Sequence, residues 1–523
     1  MMASGWRGLA GAVMLAAMTL SVGALEPLIT APALAQTLAD SKCTGNSDIP
    51  WDEQIAGCTN AIESGKLPEK GRAVAFSNRG NAYLAKIDLD RAITDYNQAI
   101  RLDPNYAFAF NNRGYAYAIK RDYDRAIADY EQAIWLDPNY VKAFINRGNV
   151  YFIRKDRDHA IADYTEAIRL DPKNGAAYDL RGLQYYTQGD LDQALDDYDK
   201  AVALGPKDAG HYNGRGSVYQ AKGDLDRALA DYDKSIALDP TNAFAYAARG
   251  IADKDKGDLD RALDDFSKAI ALNPRMDLAY DNRGRIEKDK GDLDAALADY
   301  SKSIALDPTD ATGAYNDRGL VYQARGDFDR ALADFTKAIE GDPKDGGAAT
   351  NRGNVYKAKG DLDRALADYN EAVAREPDYA LAYTDRALLY LAKGDFDRAL
   401  EDCNKAVALD PKDVAAYNAR GLVYQARREP DPAAADFTKA IAINPKDRFD
   451  YFNRGVVYRD KGDLDQALAD FNTLIALDPN DGDAYRIRGT VYEAKHDLAK
   501  AVADYNKADK LGLLSLTQPA ARP

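Results

Sequence analysis

The dipeptide Arg-Gly returns every 34 residues along this chain, and that period decides what the chain can fold into. It stands at Arg79-Gly80, Arg113-Gly114, Arg147-Gly148, Arg181-Gly182, Arg215-Gly216, Arg249-Gly250 and Arg283-Gly284, then at Arg318-Gly319, Arg352-Gly353, Arg420-Gly421, Arg454-Gly455 and Arg488-Gly489. Arg386-Ala387 fills the remaining slot, and one step, from Gly284 to Gly319, is 35 residues long. A chain of 523 residues would otherwise suggest three or four domains. A sustained period instead means one supersecondary unit stacked on itself, here thirteen times.

With the glycine taken as position 8, the other columns follow. Position 4 is aromatic in most units, as at Phe110, Tyr178 and Tyr417, and position 11 is usually Tyr, as at Tyr83, Tyr219 and Tyr356. Positions 4, 8 and 11 share one face of a helix. A turn, usually Gly-Asp, precedes a second helix. In that helix position 20 is Ala in all thirteen units, position 24 is Tyr or Phe in twelve, and position 27 is nearly always Ala. Pro at position 32, from Pro104 to Pro479, stops the second helix. Small residues at 8, 20 and 27 let two antiparallel helices approach closely, and aromatics at 4, 11 and 24 are expected to fill the space between them. No unit can bury its own faces alone, so stacking must complete the core.

These columns resemble the tetratricopeptide repeat family over about residues 70 to 511. The resemblance implies an all-α fold, a right-handed superhelical solenoid of about 13 helix-turn-helix units. Where the family often carries Leu before the Gly, this chain carries Arg at position 7 every time, and position 23 is Asp every time, from Asp95 to Asp504. That pairing reads as a repeated ion-pair clamp, with a ligand-facing Arg ladder as the alternative. Read as exposed pairs, they would add about 0–1 kcal/mol each.

Some units depart from the pattern. Asp253 and Glu287 stand at position 11 in place of Tyr, which reads as a thinner core with a solvated face, or as a polar partner site or a flexing point. The extra residue near Asp310 to Gly313 and the Gly346-Gly347 pair, where the position 4 aromatic is lost to Ala349, predict a soft joint between about 309 and 350. Cys403 replaces the aromatic at position 24 and reads as a core residue.

The N-terminus reads as an export signal over residues 1–35: Arg7, an apolar run from Gly8 to Leu25, and Ala33-Leu34-Ala35 before Gln36. An uncleaved anchor is the alternative; no second apolar run of spanning length follows, and the rest of the chain is expected in the periplasm or secreted. Cys43 and Cys58, 15 residues apart, are expected to form a disulfide in an N-terminal cap over 36–70. Aligning Ala61-Ile62 with the other Ala-Ile pairs puts Cys58 at position 24 of a degenerate half-unit. The solenoid proper spans 71–511, and 512–523 is expected to be a short tail leaving the last unit bare.

The net charge of −15 repels phosphate backbones, so nucleic acid is a poor partner. The three histidines, His159, His211 and His496, fall in separate units without metal-ligand spacing, and no nucleophile elbow or phosphate loop occurs. The chain therefore reads as a non-enzyme that needs no cofactor. Position 6 lies on the side of the first helix away from Gly, the side that lines the groove in the resembled family. It is Asn at Asn78, Asn112, Asn146, Asn282, Asn351 and Asn453, and Asn81, Asn149 and Asn354 stand one turn on. A carboxamide offers one donor and one acceptor face, as a peptide unit requires. A similar ladder is found in the peptide-binding arms of O-linked N-acetylglucosamine transferases, and by that resemblance these nine would hold a peptide backbone. Bonding between neighbouring units is the alternative use. Phe108, Tyr115, Phe152 and Tyr186 add anchors. The expected function is a scaffold or adaptor for proteins or peptides, with an assembly subunit of an envelope secretion or polysaccharide-export complex as the alternative.

Overall fold

The computed structural model describes residue 38, residues 42–44 and residues 49–517, with side chains as far as 512. The expected signal over 1–35 and the last residues of the tail lie outside these. Among the described residues there are 27 helices and no strands. A single helix, Trp51–Glu63, is followed by thirteen hairpins, each a helix A and a helix B; the first pair is Glu69–Ala85 and Leu89–Leu102. Away from the helix Asp277–Asp289, each helix B packs on its own helix A and on the helix A that follows. The chain divides into two compact units, Met1–Ile286 and Glu287–Pro523, the division falling inside the helix Asp277–Asp289.

Local chemistry sets the hairpin. Helix A ends on a left-handed residue at position 15, usually Gly, as at Gly223 (φ 79°) and Gly360 (φ 79°). Asp at position 16 then caps helix B: the carboxylates of Asp88, Asp122, Asp224 and Asp361 accept from the backbone N–H three residues on. Ile87 takes the same left-handed turn at φ 62°, strained for a β-branched side chain, and is exposed.

The core is narrower than its columns suggest. Ala at positions 3, 20 and 27 is fully buried, as in Ala109, Ala126 and Ala133, and so is the ring at position 24, as in Tyr130, Phe266 and Phe437. Gly at position 8 is demanded by that ring. A Cβ on Gly80 would lie 2.7 Å from Tyr96 Cε1, and one on Gly353 2.7 Å from Tyr369 Cε1. In the tenth hairpin, where Ala387 replaces Gly, the facing residue is buried Cys403, whose small side chain leaves room for the methyl. Burial pushes the Cys403 thiol up to about 12.

Aromatics at positions 4 and 11 do something other than fill the core. Most are half-buried, and they lie over the position 7 guanidinium, as Phe110 does over Arg113 at 5.4 Å and Tyr458 over Arg454 at 5.9 Å. That guanidinium grips the position 23 carboxylate of its own helix B through two nitrogens: Arg113 donates Nε to Asp129 Oδ2 at 2.8 Å and Nη2 to Oδ1 at 2.6 Å. Its third nitrogen reaches back to position 25 of the preceding hairpin, from Arg113 to Asn97, Arg215 to Asp199 and Arg454 to Thr438. The clamp reading is the one seen. The expected exposure is not: Asp95 and Asp163 are 4% and 5% exposed. Bidentate, half-buried pairs of this kind are worth more intact than exposed ones, and costly to break. A second, exposed ladder joins Lys or Arg at position 14 to Asp at position 18 of the hairpin before, as in Lys120 to Asp90 and Lys359 to Asp329.

Cys43 and Cys58 are disulfide-bonded and buried with Leu38, Val74 and Ala75. Trp51–Glu63 stands where a helix B would, because Arg79 Nη1 reaches Thr59, the residue after Cys58, as the other arginines reach position 25. At the other end the last helix B runs from Leu498 to Thr517, so the boundary expected at 511 falls inside a helix. Position 32 there is Leu513 rather than Pro, and nothing in the backbone stops the helix.

One irregular place differs from expectation. Asp253 is not on a solvated face: it is 2% exposed and sits 3.2 Å from Arg261 Nε, the basic residue that in other hairpins lies over the position 11 Tyr. Around residue 310 the extra residue is absorbed by the loop. Asp307 takes the N–H groups of Thr309 and Asp310, and helix A begins at Thr312 without a side-chain cap. Where Ala349 has lost the aromatic, Tyr315 and Tyr379 pack into the space.

Candidate functional site

Positions 2, 5, 6, 9 and 12 of each helix A form one strip by helical geometry, on the side that does not face helix B. In the first hairpins this strip is a relay of carboxamides. Asn146 donates to Asn111 Oδ1 at 3.0 Å, Asn111 to Asn112 Oδ1 at 3.0 Å, and Asn112 to Asn81 Oδ1 at 2.9 Å. Asn78 donates to the Cys43 carbonyl at 2.8 Å, tying the strip to the cap. Asn351 donates to Asn316 Oδ1 at 2.9 Å in the same pattern. Asn282 accepts from Lys254 Nζ at 2.8 Å and donates to the Leu278 carbonyl, and Asn453 donates to the Phe449 carbonyl. Five of the six position 6 amides thus bond outside their own hairpin, and Asn453 bonds within its own helix. Asn78, Asn112, Asn282 and Asn453 are buried; Asn146 and Asn351 are half-buried.

The position 9 amides have a partner that reading each column alone does not reveal. Tyr96 donates its hydroxyl to Asn81 at 2.8 Å, Tyr164 to Asn149 at 2.8 Å and Tyr369 to Asn354 at 2.6 Å. Each is the position 24 ring of the same hairpin, fully buried, whose hydroxyl needs an acceptor. Where position 24 carries no hydroxyl, at Phe266, Phe335, Cys403, Phe437 and Phe471, position 9 is Ile251, Leu320, Leu388, Leu422 and Val456. Every hairpin without a hydroxyl at position 24 is apolar at position 9, a signal available in the sequence; the converse has an exception, since Tyr198 stands with Leu183.

Aromatic side chains share the strip. Phe108, Tyr115, Phe152 and Tyr186 are half-buried in the second to fourth hairpins, and Phe449 and Phe452 are 47% and 37% exposed in the twelfth. A shallow concavity of about 720 Å3 lies elsewhere, on the turn edge, lined by Lys393, Asp395, Phe396, Asp397, Arg427 and Arg428. Among the described residues no group of His, Cys, Asp or Glu is arranged to hold a metal, and no helix is long and apolar enough to cross a membrane. His159 stacks on Tyr151 at 5.0 Å and caps with Asp156, and His496 occupies a left-handed turn.

Family models described as tetratricopeptide repeat match residues 180–243, 316–380, 350–414 and 452–512, residues 389–449, and residues 107–140 and 141–174; one described as TPR repeat matches 80–120 and 284–325. No curated protein matches. Among solved structures, the Cut9–Hcn1 hetero-tetramer of the APC/C is similar at 16% identity over 94% of this chain and 96% of that one, with a TM-score of 0.48. Yeast Tom70 is similar at 18% identity over 84% and 96%, with a TM-score of 0.40. YrrB, a TPR protein described as having an unusual peptide-binding site, is 26% identical over 37% of this chain and 98% of its own, with a TM-score of 0.31.

Proposed function

Because the chain belongs to the tetratricopeptide repeat family, we propose that it is a non-catalytic scaffold that holds protein or peptide partners along the helix A strip of its first four hairpins. The observation that carries this reading is the run of half-exposed aromatics, Phe108, Tyr115, Phe152 and Tyr186, set in a framework of mutually bonded amides. Rigid rings held by a hydrogen-bonded wall offer contact area at little cost in side-chain entropy. In this reading Asn78, Asn81 and Asn112 position the wall, while half-buried Asn146 and Asn149 meet the partner's backbone. Asn282, Asn351, Asn354 and Asn453 belong to shorter stretches of the same kind. The chain works outside the cytoplasm, a placement favoured by the apolar run before Glu26 and by the Cys43–Cys58 disulfide.

A photo-crosslinking side chain placed at Phe108 or Phe152 is expected to capture partners in extracts of the native cell, and one at Asp158 on helix B is expected to capture none of them. The same proteins captured from both faces, or none lost on Phe152→Ala with Asn146→Ala, would sink the proposal. Sequencing the N-terminus of the chain isolated from its cell tests export separately, with Gln36 as the expected first residue.

A further inference from the structure

Position 3 of helix A is a fully or nearly fully buried Ala in eleven of the thirteen hairpins, pressed against the hairpin before it. The two exceptions are both ionisable. His211 stands there in the fifth hairpin and Asp450 in the twelfth, 6% and 0% exposed. Each faces position 5 of the preceding helix A, which is Asp179 in one case and Asn418 in the other.

The surroundings of His211 are fitted to an imidazole. Its Nδ1 lies 3.1 Å from Asp179 Oδ1, and its Nε2 lies 3.8 Å from Asp208 Oδ2, the cap of its own helix. Two glycines clear the space: a Cβ on Gly205 would sit 2.9 Å from Nε2, and one on Gly175 3.2 Å from it. Gly205 occupies a position that is Asp, Asn or Glu in the eleven other Pro-closed hairpins, and the exception falls where the ring needs room. A neutral imidazole has one N–H and can satisfy one of these carboxylates; an imidazolium donates toward both. Burial lowers the pKa of His211, but the hydrogen bond to Asp179 and the charges of Asp179 and Asp208 outweigh it and hold it above 6.5.

Asp450 is the acidic counterpart. No well-formed hydrogen bond reaches either carboxylate oxygen. Burial raises it to about 6, against a lowering by the Asn418 amide; Asp447 adds to the rise and Arg454 opposes it. The Arg454 guanidinium is itself committed to Asp470. A carboxylate in such a place is destabilising when charged and tolerated when protonated.

We propose that His211 and Asp450 are proton-operated locks at two hairpin joints, each tightening its joint when it takes up a proton. The sign is the same for both. Each folded-state pKa lies above the unfolded one, so the stabilisation is present at low pH and is lost as pH rises through the folded value. Both joints are therefore tightest in acid and loosen as pH rises, the Asp450 joint through about 6 and the His211 joint through a value above 6.5. This does not depend on what the scaffold holds.

The test uses the full chain. With three histidines in all, selective labelling and NMR resolve His211, and His211→Ala assigns its signal. A midpoint above 6.5 that falls in Asp179→Asn, which keeps the shape and removes the charge, supports the lock; a midpoint at or below 6.5 in the wild type, or one unmoved by Asp179→Asn, overturns it. Amide hydrogen exchange, corrected for intrinsic rate, reads the joints themselves. Protection in Ala209–Ala221 and Arg448–Lys461 is expected to be higher at pH 5.5 than at pH 8, by about tenfold per unit of pKa shift spanned. Asp450→Ala restores the residue used elsewhere, so it should fold, and it should abolish the pH dependence of Arg448–Lys461 while raising its protection at pH 8. Equal pH ratios in wild type and Asp450→Ala would refute the acidic lock.

Discussion

The covariation of positions 9 and 24 makes a quantitative claim that a double-mutant cycle at Asn149 and Tyr164 can check. Tyr164 is fully buried and its hydroxyl donates to Asn149 Oδ1 at 2.8 Å. Replacing Asn149 by Leu strands that hydroxyl without an acceptor, at a cost of about 1–3 kcal/mol. Replacing Tyr164 by Phe removes the donor but leaves Asn149 half-exposed, where water can serve it, so about 0.5–1.5 kcal/mol is expected. The double variant has Leu opposite Phe, the pair already present as Leu320 with Phe335 and Leu422 with Phe437. It should lie close to the wild type, which implies a coupling energy equal to the two single losses together, about 1.5–4.5 kcal/mol. A solenoid opens locally, so the readout is amide exchange in Val141–Ile153 and Arg157–Leu170, supported by urea unfolding. If the two losses simply add, within about 0.5 kcal/mol, the hydroxyl–amide bond is not what links the columns.

Four further outcomes are expected. Arg420→Ala leaves buried Asp436 without its two-nitrogen partner and should cost about 3–5 kcal/mol locally by exchange or melting, with Arg420→Ala plus Asp436→Ala costing less than Arg420→Ala alone. Cys403→Tyr should destabilise the tenth hairpin by about 1–3 kcal/mol because its ring meets the Ala387 methyl, and adding Ala387→Gly should restore most of the loss in a thermal melt. Reducing Cys43–Cys58, which closes a 15-residue loop, should weaken the cap by about 3 kcal/mol and speed exchange in Trp51–Glu63 well before any other helix. Asp395 is held below the usual carboxylate range by its hydrogen bonds from the Arg398 side chain and backbone, so its contribution is present above the unfolded value of 3.8 and lost as pH falls through the lower folded one; an acid titration followed by circular dichroism should show a flatter low-pH limb in Asp395→Ser.

Much of the fold was legible because the period repeats every physical constraint thirteen times. The Pro at 32, the Asp cap at 16 and the pairing of Arg at 7 with Asp at 23 each follow from residue chemistry and recur in place. The half-unit was legible too: aligning Cys58 with position 24 puts Thr59 at position 25, where Arg79 reaches it in the structure. The strip of helix A was harder. Asn81, Asn149 and Asn354 look like ligand groups when their column is read by itself, and become hydroxyl acceptors once it is set against position 24. Ala387 and Cys403 are likewise two unrelated oddities until the distance between glycine and ring joins them. Asp253 was misplaced on a wet face because a charged residue is normally exposed, whereas Arg261, eight residues on, gives it an ion-pair partner. Period reveals what each hairpin shares; the exceptions make sense only in pairs.

The three-way grip of the position 7 arginine also sets a grammar for how such a chain can grow. Two of its bonds stay within a hairpin, and the third needs only a small polar side chain at position 25 of whichever hairpin precedes it, a requirement that Asn97, Thr165, Ser301 and Asn404 meet equally. Any hairpin can therefore follow almost any other without rewriting the joint. Duplication or loss of a whole 34-residue unit would leave every clamp made, while gain or loss of part of a helix would break one. The single extra residue in thirteen periods sits in a loop, and Arg318 beyond it still reaches both Asp334 and Ser301.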